Sequence, residues 1–366
     1  MRYRSDAATW QVWRAISGSA VYADAGSNRG NLVHKFRRVM PCHNSKKDIA
    51  IKPILPLSYP PLSLGQSIRG MRVPTVSANG VELYYEEVGA PDAPVILLIM
   101  GLGTQMIAWP DDFVNGLADE GFRVIRYDNR DIGLSSRLDG AAAPNLILTL
   151  LKSRIGLSAG VAYSLKDMAK DAVGLMDALD IPAAHIVGVS MGGMIAQNVA
   201  ALHPTRTLSL TSVMSSSGAA GLPGPSSELR KRMITKRPDN PTREEAVAAG
   251  TEMLKLISFP DPARAPDAFE AAAGRAFDRS YNPLGAKRQL LAIITDTGRH
   301  GRLAKVKAPT LVIHGAADPL VPLANSEDIA RRIPGARLEV IEQMAHDLPP
   351  SQVGRMVELI AGHAAL

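Results

Sequence analysis

The spacing of apolar residues changes period repeatedly along this 366-residue chain, and each change marks an element. Val81 to Val88 alternates in part, which predicts a strand with one exposed face. Pro94 to Met100 is continuously apolar, the pattern of a strand buried on both faces. Phe122–Tyr127, the run ending Ile186–Val189, Leu208–Met214, Thr310–Gly315 and Arg337–Ile341 predict further strands. Between them apolar residues recur at helical spacing, near Asp111–Glu120, from Met191 to about Leu202, near Ala324–Arg332 and over about Val353–His363. Another helix opens at Ser164 with a capping-box-like Asp167 three residues on, and Leu165, Met168, Ala172, Leu175, Met176 and Leu179 share its face. Strands alternating with helices predict an α/β fold with a mostly parallel sheet covered on both faces.

Three stretches break this rhythm. Residues 139–163 read as loop with a short helix. After the strand ending at Met214, Pro and Gly cluster from Gly218 to Pro225, and helical stretches follow at Arg243–Ile257 and Ala263–Phe277. Residues 217–305 are therefore expected to be a helical cap over the strand ends, inserted into a core formed by 71–216 and 306–366. Residues 1–70 show no periodic pattern and end in the Pro-rich run Pro53 to Pro61, which predicts an extended, weakly ordered extension. Met71 is an alternative natural start, and a targeting segment is a third reading of the same residues.

Charge changes one conclusion. The chain has a net charge of +6, but residues 1–70 hold 11 Lys and Arg against 3 Asp and Glu, leaving 30 against 32 in the rest. The folded part is near neutral, which removes the support for nucleic-acid binding. No apolar run reaches the ~20 residues that span a bilayer. A cytoplasmic location is expected, since Arg37-Arg38 has no apolar stretch of signal-peptide length behind it. Cys42 is the only cysteine, so a disulfide within one chain is impossible.

The candidate chemistry centres on Gly188-Val189-Ser190-Met191-Gly192, where an apolar strand stops at Gly-x-Ser-x-Gly and a Gly/Ala-rich helical pattern begins. This is the nucleophile-elbow pattern: a sharp turn exposes the serine hydroxyl beside the free N–H groups of a helix N-terminus. A serine hydroxyl is a weak nucleophile, so it needs a base and the base an orienting acid. Of eight histidines, His34 and His43 lie in the extension, and His185, His203, His300, His314 and His363 sit at strand, helix or terminal positions. His346 remains, just after the last strand, where catalytic groups gather in open α/β sheets. With such elbows the acid lies between serine and histidine in the chain. Asp318 follows directly on a strand end, whereas Ser215-Ser216-Ser217 at the alternative position offers no carboxylate, and Asp347 is adjacent to the histidine and reads as a loop or helix-cap group. An oxyanion hole needs two backbone N–H groups, assigned to Met191 and to Leu102 in Met100-Gly101-Leu102-Gly103, with the register of that loop open by one residue. Gly101, Met106, Trp109, Met194, Phe277 and Tyr281 are candidates for an apolar substrate pocket, though each Met or aromatic also suits ordinary core packing.

The chain from about Val73 to Leu366 resembles an α/β-hydrolase. The resemblance rests on Leu98-Ile99-Met100-Gly101, Asp128-Asn129-Arg130-Asp131-Ile132-Gly133, the elbow and His314-Gly315-Ala316-Ala317-Asp318-Pro319. Met100-Gly101 and the Asp-x-Arg-Asp-x-Gly loop are similar to the branch of aclacinomycin methylesterases and related carboxylic-ester hydrolases. Many relatives have His-Gly where this chain has Met100-Gly101, which leaves a backbone donor intact. The resemblance implies an eight-stranded, mostly parallel sheet with the cap after the sixth strand. It also implies a serine esterase acting on small to medium apolar esters, without cofactor or metal, as monomer or homodimer. The same triad serves perhydrolysis (cofactor-free, haloperoxidase-like) and C–C bond hydrolysis, and a non-catalytic small-ligand receptor of the same fold is a rival from another class.

Overall fold

A computed structural model describes residues 74–234 and 241–365 of the chain. The expected extension, residues 1–70, lies outside the described residues. The strands are β1 (Thr75–Ala78), β2 (Val81–Val88), β3 (Val95–Ile99), β4 (Arg123–Tyr127), β5 (Ala184–Val189), β6 (Thr207–Val213), β7 (Thr310–Gly315) and β8 (Arg337–Ile341). They form an eight-stranded sheet in the order β1-β2-β4-β3-β5-β6-β7-β8. The β1/β2 and β2/β4 pairs are antiparallel, and every pair from β4/β3 to β7/β8 is parallel. The expected eight-stranded, mostly parallel sheet is the one observed.

The helices before β6 are α1 (Asp111–Asp119), α2 (Leu146–Arg154), α3 (Leu165–Ala178) and α4 (Met191–Leu202). Between β6 and β7 come α5 (Ser227–Ile234), α6 (Arg243–Ile257), α7 (Ala268–Arg279), α8 (Pro283–Thr295) and the single turn α9 (Arg299–Arg302). The chain finishes with α10 (Ala324–Arg332) and α11 (Val353–Ala364). Ser164 and Asp167 form the full capping box of α3, as the sequence predicts.

The uninterrupted apolar run of β3 is explained by what covers it. Leu97 and Ile99 pack with Met168 and Leu175 of α3 and Ile195 of α4, whereas Ile96 and Leu98 pack with Phe113 of α1 and Met356 and Ile360 of α11. Successive side chains of a strand point to opposite faces, so a strand covered on both must be apolar throughout. That two-sided cover fixes the central strands, and their parallel pairing brings the C-terminal ends of β3, β5, β7 and β8 to one edge.

Beyond α5 and α8, which the sequence pattern does not delimit within the insertion, two elements differ from expectation. β1 was not anticipated, because its four residues carry no clear alternation. The helix expected over Ala263–Phe277 begins instead at Ala268. Pro262 and Pro266 disfavour helical backbone in the residues before them, and the Asp261 carboxylate accepts the Ala263 N–H at 2.9 Å, giving the stretch a turn of its own.

Candidate active site

β5 feeds directly into α4, and the turn between them consists of Ser190, at φ 55° and ψ −118°. A non-glycine residue in that region is strained by about 1–3 kcal/mol. The strain is held from three sides: Ser190 N–H donates to Val213 O (2.9 Å), while Ser190 O accepts from Ser215 Oγ (2.7 Å) and from Met194 N–H (3.2 Å). Gly188 and Gly192 leave the necessary space, since a Cβ on the first would strike the Gly192 carbonyl and one on the second the Ile99 carbonyl.

Two loops from distant parts of the chain meet this turn. His346 Nε2 lies 3.0 Å from Ser190 Oγ, and its Nδ1 lies 2.7 Å from Asp318 Oδ2. Asp318 Oδ1 accepts the N–H groups of Leu320 (2.9 Å) and Val321 (2.8 Å), so the carboxylate is fixed before the imidazole reaches it. The loops carrying His346 and Asp318 are joined by backbone, with Ala316 N–H donating to Ile341 O and Ala317 N–H to Met344 O. His346 and Asp318 are buried, and Ser190 is half-buried. The structure therefore brings together Ser190, His346 and Asp318, which lie 156 and 28 residues apart in pairs.

Behind Asp318 sits a second imidazole. His314 Nε2 is 2.8 Å from Val321 O, and a carbonyl only accepts, so this nitrogen carries the proton. Its Nδ1 then accepts the Ser326 hydroxyl at 2.7 Å. Burial pushes the His314 pKa below its ordinary value, outweighing the Asp318 charge that pulls it up, so the ring is neutral at pH 7. It supports the backbone of the Asp318 turn.

The Met100–Gly103 loop lies against the elbow: a Cβ on Gly101 would come within 3.3 Å of Ser190 Cβ. Among the described residues neither Leu102 N–H nor Met191 N–H donates a hydrogen bond. Asn129 Nδ2 donates to Met100 O (3.0 Å), and buried Gln289 of α8 accepts Gly103 N–H (2.8 Å) while donating to Arg130 O (2.9 Å). Asp128 accepts the Met106 and Leu134 N–H groups and pairs with Arg279 of α7 at 2.7 Å. Asp131 is held by one guanidinium edge of Arg288 of α8, Nε donating to Oδ2 at 2.8 Å and Nη2 to Oδ1 at 2.7 Å. Burial pushes the Asp131 pKa up, but the bonds from Arg288 and the Leu138 N–H outweigh it and hold the carboxyl below its usual range. The Asp-x-Arg-Asp-x-Gly stretch thus props the glycine loop on helices from the β6–β7 insertion. Neither Gln289 nor Asn129 was singled out from sequence, because a polar residue bonded to a distant backbone leaves no periodic signal.

The pocket candidates separate. Met106 and Trp109 are fully buried, and Trp109 stacks on Phe113 at 5.3 Å within the layer shared with α1 and α11, so Trp109 serves packing. Met194 is buried in the opposite layer, and Phe277 and Tyr281 pack on each other at 4.9 Å with Tyr281 well exposed. Among the described residues no group of three or more His, Cys, Asp or Glu side chains is placed to hold a metal ion.

The model of the alpha/beta hydrolase fold family matches residues 94–350. The chain belongs to the alpha/beta hydrolase fold family. It is a hydrolase, as the resemblance in its sequence implied. Rhodomycin D methylesterase DauP of Streptomyces sp. (strain C5) is 32% identical over 312 residues, covering 79% of this chain and 96% of the relative. Rhodomycin D methylesterase DnrP of Streptomyces peucetius is 31% identical over the same shares. Among solved structures, the enol-lactonase of Burkholderia xenovorans LB400 superposes with a TM-score of 0.62 at 24% identity, covering 80% of this hydrolase and all of that chain. Among the hydrolase's described residues no helix is long and apolar enough to cross a membrane.

Proposed function

We propose that the chain is a carboxylic-ester hydrolase working through Ser190, His346 and Asp318 by way of an acyl-enzyme. One observation carries the reading: a single imidazole lies 2.7 Å from a fixed carboxylate and 3.0 Å from a hydroxyl on a strained elbow. Asp318 accepts Nδ1–H, which leaves the Nε2 lone pair facing the serine. As Oγ attacks the ester carbonyl, Nε2 takes its proton, and the carbonyl oxygen becomes an oxyanion received by the Met191 and Leu102 N–H groups. The C–O bond to the alcohol then breaks, and the imidazolium returns its proton to the leaving oxygen. A water deprotonated by the same Nε2 attacks the acyl carbon and releases the acid, restoring Ser190.

The β6–β7 insertion, residues 217–305, acts as a cap over this centre. Gly101 gives the substrate carbonyl close access to the backbone, and Met194, Phe277 and Tyr281 supply apolar surface. Similarity to two methylesterases over nearly their whole length supports esters with a small alcohol portion, methyl esters among them. Ser190→Ala is expected to lower kcat on p-nitrophenyl and methyl esters by about 10⁴-fold or more while the melting temperature holds. Wild-type turnover by that variant would refute the assignment.

A further inference from the structure

We propose that Asp347 and Arg264 are positioning residues for His346, tying the loop that carries the imidazole to residues 257–264 of the β6–β7 insertion. The proposal rests on the Ser190–His346–Asp318 reading and adds a part to it. His346 sits in a stretch without regular structure between β8 and α11, so its placement depends on what grips that loop. From the sheet side the grip comes from Asp318 and from the Ala317 N–H bond to Met344 O.

The other side is tied to the insertion. His346 N–H donates to Ile257 O, the last residue of α6, at 2.8 Å. Asp347 Oδ1 accepts Phe259 N–H at 3.1 Å, and Oδ2 pairs with Arg264 Nη2. Arg264 also donates from Nη1 to Phe259 O (2.8 Å) and lies over the Phe269 ring at 4.6 Å. One carboxylate and one guanidinium therefore close a ring through Phe259, one residue from the imidazole. Further along, Ser351 N–H donates to Asp261 Oδ2 at 2.8 Å. Both side chains of the Asp347–Arg264 pair are close to nine-tenths buried, which makes their geometry rigid.

Asp347 is thus withdrawn from the chemistry although it neighbours the base. Its Oδ2 pairs with the insertion, its Oδ1 accepts Phe259 N–H of the insertion and Ala345 N–H (3.4 Å) of its own loop, and Asp318 takes Nδ1. A displacement of about 1 Å in a reacting group can cost about 100-fold in rate, so a clamp this close sets the rate through Nε2.

The test compares Asp347→Asn/Arg264→Met, which removes both charges so that none is left buried alone, with Arg264→Lys and with Ser190→Ala. Stopped-flow p-nitrophenyl ester hydrolysis is normalised to sites titrated to completion with phenylmethylsulfonyl fluoride. The double variant is expected to lose about 10- to 100-fold in both the burst rate and the steady-state rate per titrated site, because one imidazole serves both half-reactions. KM is expected to stay within about twofold, and Arg264→Lys to fall between the double variant and wild type. Unchanged rates per titrated site, a raised KM at unchanged kcat, or a loss confined to the number of titratable sites would each overturn the proposal. Should Ser190→Ala turn over normally, the triad itself is refuted; should Ser190→Ala be inactive and the double variant normal, only the clamp is.

Discussion

Ser190 holds a backbone conformation it would not adopt alone, and its neighbours supply the restraint. The tightest point is Gly192, which lies against the Ile99 carbonyl. Gly192→Ala is expected to destabilise the protein by about 3 kcal/mol through overpacking, and to lower esterase activity in the protein that remains folded. Urea titration checks the first and active-site titration the second; unchanged stability would show that the elbow has slack. Ser190, His346 and Asp318 were legible together from the sequence, because strand ends concentrate chemistry and elimination removed the other histidines. Trp109 was not, since an aromatic after a glycine loop reads alike whether it lines a pocket or, as here, stacks in the core.

Among elements, α8 does more than pack against its neighbouring helices. Its Arg288 grips Asp131 and its Gln289 holds Gly103, so consecutive residues serve two loops. Arg288→Met leaves a buried carboxylate without its cation and is expected to cost about 3–5 kcal/mol. Asp131→Asn/Arg288→Met is expected to recover most of that, because Asn tolerates the positive φ of 70° at this position. Chemical denaturation of the three proteins measures the coupling, and additive losses would show that the pair is not coupled. The apolar strands and the periodic helices of the core were legible at the right places, whereas α8 was not delimited within the insertion. What was illegible has a physical cause: β1 is four residues of weak pattern, the start of α7 was moved by Pro262 and Pro266, and Gln289 acts on a backbone group 186 residues away.

Across the whole molecule, buried carboxylates paired with arginines link stability to pH. Asp131, Asp296 and Asp328 are each pushed up by burial and pulled further down by their partners: Arg288 and the Leu138 N–H for the first, Arg299 and Arg302 for the second, Arg332, Ser217 and Arg331 for the third. Asp328 falls to about 2. The unfolded chain binds these protons near pH ~4, so stability is fully present above that value and is lost as pH falls towards 2. Asp171 moves the other way, burial outweighing Arg130, and offsets part of the loss. Thermal melts of wild type and Asp328→Asn from pH 6 down to pH 2 are expected to show a shallower decline in the variant; parallel declines would contradict the linkage. The proposed reaction passes through a covalent bond between Ser190 and the acyl group. Rapid acid quench of the enzyme with a p-nitrophenyl ester, followed by mass spectrometry of the digested protein, measures it directly. The expected result is one acyl group per chain, on the peptide containing Ser190 and absent from Ser190→Ala; turnover with no acyl adduct there, or with the adduct on another residue, would contradict it.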